Sequence, residues 1–209
     1  MNTSSSLADC AAPAGCRVVE LRQYTLHPGR REELITLFER EFIHTQQALG
    51  LHVLGIFRDA DDADRFVWLR GFANMAARRA ALEAFYGGPV WRRHRNAANA
   101  TMIDSDDVLL LRPQAGALVD AGSGNWHALI CPLAAPLDEA QRAALQGQPA
   151  AWFDSEPTPN DFPRLPVRPG CWLLALSPQA PTLPGALQPA LSAAPRRLRL
   201  QATEQSPLR

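Results

Sequence analysis

Apolar and polar positions alternate along residues 18–26, VVELRQYTL, and this two-residue period, rich in β-branched and aromatic side chains, predicts a strand. His27-Pro28-Gly29 turns the chain, and the period then lengthens. Leu34, Leu37, Phe38, Phe42 and Leu49 recur at helical spacing through residues 30–50, with Glu32 and Glu33 in the first turn and Gly50 as the stop. LHVLGIFR (51–58) and RFVWLRGF (65–72) alternate again on either side of DADDAD (59–64), which predicts an antiparallel hairpin. Asn74 caps a helix MAARRAALEAFY ended by Gly87-Gly88, Pro89 opens a helix PVWRRHRNAANATM, and DVLLLR (107–112) predicts a strand. The order is β-α-β-β-α-β, the ferredoxin-like plan, with one added helix before the last strand.

Beyond the Gly/Ala-rich segment at 113–124 the plan recurs in weaker form. WHALICPL (126–133), PAAWFDSE (149–156), CWLLALS (171–177) and PRRLRLQAT (195–203) read as strands, and LDEAQRAALQ reads as a helix stopped by Gly147. LPGALQPALS reads as a second helix, although Pro189 disturbs any interior turn. The expected organisation is a disordered lead over 1–16, a first unit over 17–112, a linker over 113–124 and a degenerate second unit over 125–205. Each predicted sheet has helices on one face only and needs cover for the other. The fold class that follows is α+β: two ferredoxin-like β-α-β-β-α-β units packed sheet to sheet as an α+β barrel.

Alternation also sorts side chains by face. Val19 and Leu21 share one side of the first strand, and Glu20, Arg22 and Tyr24 share the other. In RFVWLRGF, Val67 and Leu69 oppose Phe66, Trp68, Arg70 and Phe72. In LHVLGIFR, Leu51, Val53 and Phe57 oppose His52, Leu54, Ile56 and Arg58. The aliphatic faces are expected under the helices and the mixed faces inside the barrel. Glu20, Arg22, Tyr24, His52, Trp68 and Arg70 would then line a ligand chamber, with arginine forking a carboxylate and aromatic walls burying its body. The alternative for these residues is a set of ion pairs that needs no ligand.

The segment 155–169, SEPTPNDFPRLPVRP, joins two predicted strands and carries five prolines. Fixed φ angles shrink its unfolded ensemble, so ordering it costs less, and Phe162 and Leu165 can dock on apolar surface. Glu156, Arg164 and Arg168 are expected at a chamber rim or in ion pairs that seal the two units.

Composition narrows the chemistry. Acids and bases balance at 21 each, so no basic field exists for nucleic acid or an anionic membrane. The basic residues are all arginine, which removes lysine Schiff-base chemistry and the P-loop lysine. Cys10, Cys16, Cys131 and Cys171 have no ligand spacing and read as reduced thiols. The leading residues lack a charged, then apolar, signal pattern, and the expected location is cytoplasmic. No metal constellation is visible, and DADDAD lacks the glycine and closing glutamate of a calcium loop. No motif calls for a cofactor. The added helix sets Trp91, His94, Arg95 and Ala98 along one side, which makes His94 a candidate base near neutral pH.

RFVWLRGF, FYGGPVW and N-x-x-N-A-T-M resemble the NIPSNAP family, and VELRQYTLHPG has the character of that family's first strand and turn. FPRLPVR is similar to the connecting loop of its longer, two-unit bacterial members. The resemblance implies a dimeric α+β-barrel fold and no settled activity. The wider superfamily includes cofactor-free monooxygenases, haem-degrading enzymes, isomerases and proteins that only bind. Three functions are therefore carried forward: a small-molecule binder, a cofactor-independent oxygenase or isomerase, and an interaction scaffold presenting RRHR, with a homodimer as an expected partner state.

Overall fold

The computed structural model describes residues 15–119, 122 and 124–209. Its strands are β1 (Val18–Leu26), β2 (His52–Asp59), β3 (Arg65–Phe72), β4 (Met102–Ala115), β5 (Asn125–Leu133), β6 (Ala151–Ser155), β7 (Cys171–Ser177) and β8 (Arg196–Ala202). They close one antiparallel barrel in the order β1-β3-β2-β8-β5-β7-β6-β4, with β4 returning to β1. Two ladders join the halves of the chain, β2 to β8 through Phe57↔Ala202 and β4 to β6 through Leu111↔Ser155. The architecture is α+β. No helix among the described residues is long and apolar enough to cross a membrane.

Helices α1 (Arg31–Leu37), α2 (Ile43–Ala48), α3 (Met75–Gly87) and α4 (Pro89–Asn99) belong to the first half. A π-helical stretch, Phe38–Phe42, joins α1 to α2, so the single predicted helix carries a wider turn in its middle. Gly29 permits the turn before α1 at φ +74°, and its N–H donates to Asp64 Oδ1 at 2.9 Å. Asn74 Oδ1 accepts from the Ala77 N–H at 2.9 Å and so caps α3. In the second half, Asp138 and Gln141 form a reciprocal capping box on α5 (Glu139–Ala143), but the next turns close on i→i+3 bonds and the helix stops early. Pro189 reduces the other expected helix to a 3-10 segment, Gly185–Ala190.

The lumen is filled. Leu21, Phe57, Val67, Leu109, Trp126, Phe153, Leu174 and Leu200, one from each strand, belong to a single buried cluster. An eight-stranded barrel is just wide enough for side chains to fill it. This reverses the expected orientation: the aliphatic faces point inward, and Glu20, Arg22, Tyr24, Trp68 and Arg70 lie outside the barrel, beneath the helices. The charged arms find guanidinium, carboxylate and aromatic partners there that the lumen does not offer. A bulge between Val53 and Gly55 also breaks the alternation of β2, turning Leu54 inward and Val53 outward. Gly55 is required at this place, since a Cβ on it would come within 2.5 Å of the Phe57 ring.

Two further boundaries move. β4 continues to Ala115, so residues 113–115, expected in the linker, are strand. Of the expected disordered lead, residues 1–14 lie outside the described residues, whereas Cys16 is buried in the lumen cluster. At the other terminus Leu208 packs into the same cluster, and the Ile56 N–H donates to Ser206 Oγ at 3.0 Å.

Candidate functional site

The site begins with a carboxylate that has no access to water. Glu20 Oε2 accepts from Arg22 Nη1 at 2.9 Å and Arg70 Nε at 2.8 Å, and its Oε1 accepts from Arg78 Nε at 2.6 Å. All four side chains are essentially buried. Burial would raise the Glu20 pKa, but Arg70, Arg22 and Arg78 outweigh it and hold the carboxyl well below the usual range. Arg78 Nη1 reaches on to Asp161 at 2.9 Å and Asn160 at 3.0 Å, tying the cluster to the 155–169 segment. The inner group thus contains three guanidiniums against two carboxylates, and Asp161 is the partly exposed one.

Above the cluster lies a cavity of about 220 Å³ between β1, β4, α4 and the 155–169 segment. Arg22, Tyr24, Tyr86, Trp91, Asn99, Met102, Ser105, Asp106, Phe162, Arg164 and Leu165 line it. Tyr24, Tyr86, Trp91 and Met102 also border a narrower apolar recess of about 30 Å³, completed by Phe38, Phe42, Trp68 and Phe85. The π-helical stretch supplies two of those rings. Trp68 Nε1 is buried with no hydrogen-bond partner among the described residues.

The proline-rich segment is ordered and crosses from the second half onto the first. Its backbone is pinned to β4 by Glu156 N–H to Leu110 O at 3.0 Å and Arg168 N–H to Val108 O at 2.8 Å. Phe162 stacks on Tyr86 with centroids 6.2 Å apart. The three expected rim residues divide their roles. Arg164 lines the cavity, Arg168 pairs with Asp107 at 3.2 Å, and Glu156 accepts from the Thr158 N–H at 2.9 Å and borders a different cleft.

Of the other residues singled out in the sequence, Arg22 and Tyr24 line the cavity, Trp68 borders the recess, and Glu20 and Arg70 are buried in the ion cluster. His52 is exposed at the start of β2 and borders neither space. His94 faces Glu41, with Nε2 3.5 Å from Oε2, and also lies off the cavity lining. Arg78 and Tyr86 were missed. A signal for Arg78 existed: it falls on the same helical face as Ala81, Leu82 and Phe85, where an arginine must have a buried partner.

Residues 19–116 match the family model of NIPSNAP. A NIPSNAP-like domain protein from Burkholderia xenovorans is 23% identical over 46% of this chain and 84% of its own, with a TM-score of 0.42. Candidate monooxygenases cover more of the chain. The one from Lactobacillus acidophilus is 12% identical over 90% of this chain and 94% of its own, at TM-score 0.56. The one from Fusobacterium nucleatum is 5% identical over 90% and 93%, at TM-score 0.58. At these identities the last two share the fold alone. No curated protein sequence matches the chain.

Proposed function

Given that residues 19–116 match the NIPSNAP family model, we propose that the chain binds a small acidic or apolar molecule beneath the helices of its first half. One observation carries this reading: the cavity of about 220 Å³ has a buried guanidinium, Arg22, in its lining and Tyr86, Trp91 and Phe162 in its walls. The lining combines four aromatic rings, Tyr24 among them, with five polar or charged side chains, and aromatic walls with convergent polar groups are a usual feature of small-molecule sites. The reading treats each half of the barrel as one ferredoxin-like unit, supported by the matching strand orders β4-β1-β3-β2 and β8-β5-β7-β6. A fluorimetric melting screen against small aromatic and aliphatic acids tests it. Hits should raise the melting temperature of the wild type and not that of Ser105→Trp, which fills the cavity from β4. Equal shifts in both proteins would place binding elsewhere and end the proposal.

A second reading, a cofactor-independent monooxygenase or isomerase acting on a small aromatic acid, uses the same cavity. It is favoured by the Tyr24 hydroxyl, which accepts from Arg22 Nε at 3.0 Å beside the space a substrate would fill. On this reading the proton-handling group is Tyr24 and not His94.

A further inference from the structure

The charge of the buried cluster is unbalanced on the side that faces the cavity. Glu20 is shared by Arg22, Arg70 and Arg78, and Asp161 answers Arg78 from the loop. That leaves one guanidinium charge without a carboxylate. The cavity lining also carries one further base, Arg164, and one acid, Asp106. Buried charges are retained where they are paired, and leaving one unpaired is costly. Within Arg22, Nε is committed to Tyr24 and Nη1 to Glu20. No hydrogen bond to a described residue engages its Nη2, and Arg22 lines the cavity. Tyr24 accepts from Arg22, so its own proton is free for another acceptor. Burial pushes the Tyr24 pKa up, which keeps that proton in place.

We infer that the cavity selects a planar monocarboxylate with an aromatic body, its head group bound by Arg22 Nη2 and the Tyr24 hydroxyl. This inference rests on the binding reading above and adds the charge and the two donors. A monoanion completes the neutralisation of the cluster. A neutral isostere leaves Arg22 uncompensated, and a dianion exceeds the one open charge of the cluster, since Arg164 in the lining is matched in number by Asp106. The space of about 220 Å³ holds roughly seven water volumes at about 30 Å³ each, which limits the body to one or two fused rings.

The test is calorimetric titration of the full chain with 2-naphthoate, 2-naphthamide and naphthalene-2,6-dicarboxylate. The monoacid should bind at least about ten-fold tighter than either the amide or the diacid, the scale of one charge-assisted hydrogen bond. Tyr24→Phe should weaken naphthoate about ten-fold and change naphthamide less than two-fold. Arg22→Gln should erase the preference for the acid; if that variant does not fold, Tyr24→Phe still decides. Naphthamide binding as tightly as naphthoate would overturn the inference while the binding reading stands. Failure of all three probes to bind would overturn both.

Discussion

The two halves of the barrel cover their strands with unlike layers. Over β1–β4 lie α1 to α4 and the π-helical stretch, and the space below them contains both a buried ion cluster and empty volume. Over β5–β8 lie the five-residue α5 and a six-residue 3-10 segment, and the layer is filled by Leu129, Cys131, Leu145, Leu173 and Leu187. The second half also has a buried acid, Asp154, but at the barrel edge. It accepts from Arg112 Nε at 2.9 Å and Gln114 Nε2 at 2.7 Å, with Arg142 Nε at 3.3 Å. The cleft of about 240 Å³ beside it is lined by Asp154, Glu156 and Arg112, and Arg142 pairs with Asp154 from outside that lining, so two arginines answer the two acids. The difference teaches that both halves close the lumen, whereas only the thicker layer of the first can hold a charge imbalance away from water.

Substitutions at the two acids sharpen this comparison most. Glu20→Gln leaves Asp161 as the one carboxylate against three buried guanidiniums and should cost about 3–5 kcal/mol in urea denaturation. Asp154→Asn removes an acid whose arginine partners are each about a third exposed (34% and 32%), and should cost about 1.5–3 kcal/mol. A larger loss at Asp154 than at Glu20 would break the comparison. The pH dependence follows with a definite sign. The folded-state pKa of Glu20 is depressed, so its contribution is fully present above the ordinary glutamate pKa and is lost as pH falls from there toward the folded value. Wild-type melting temperature should therefore drop below about pH 4.3, and Glu20→Gln should flatten that part of the profile.

How much of this was legible beforehand depends on the kind of information alternation carries. A period of two says which side chains share a face, and β1, β3 and β7 match their expected bounds residue for residue. It does not say which face is inside, because helix-covered and lumen-facing surfaces are both largely apolar. Val19, Leu21, Val67 and Leu69 were thus correctly grouped and wrongly turned. The inversion carries the chamber from the lumen to the helix layer, yet Arg22 and Tyr24 remain at it because they share the displaced face. The bulge at Leu54 did leave a signal, the isolated Gly55 inside LHVLGIFR, which strict alternation passes over. His94 was legible as part of a helix face, whereas its partner Glu41 depends on how α4 crosses the π-helical stretch.

Smaller effects test the parts that both halves share. Gly55→Ala forces a Cβ against the Phe57 ring in the lumen and should cost about 1–3 kcal/mol by thermal denaturation. No loss there would mean that the lumen is loosely packed. Arg168 is 41% exposed, pairs with Asp107 and stacks on Trp172 at 4.3 Å. Arg168→Ala should cost no more than about 1 kcal/mol, because the loop's backbone bonds to β4 are independent of that side chain.

The central claim is that the ligand chamber lies beneath the helices of the first half and outside the lumen. A crystal structure of the protein grown with 2-naphthoate tests it most directly. Density for the ligand between Arg22, Tyr86 and Phe162 is the predicted result. Density in the lumen, or in the cleft beside Asp154 and Trp172, would contradict it.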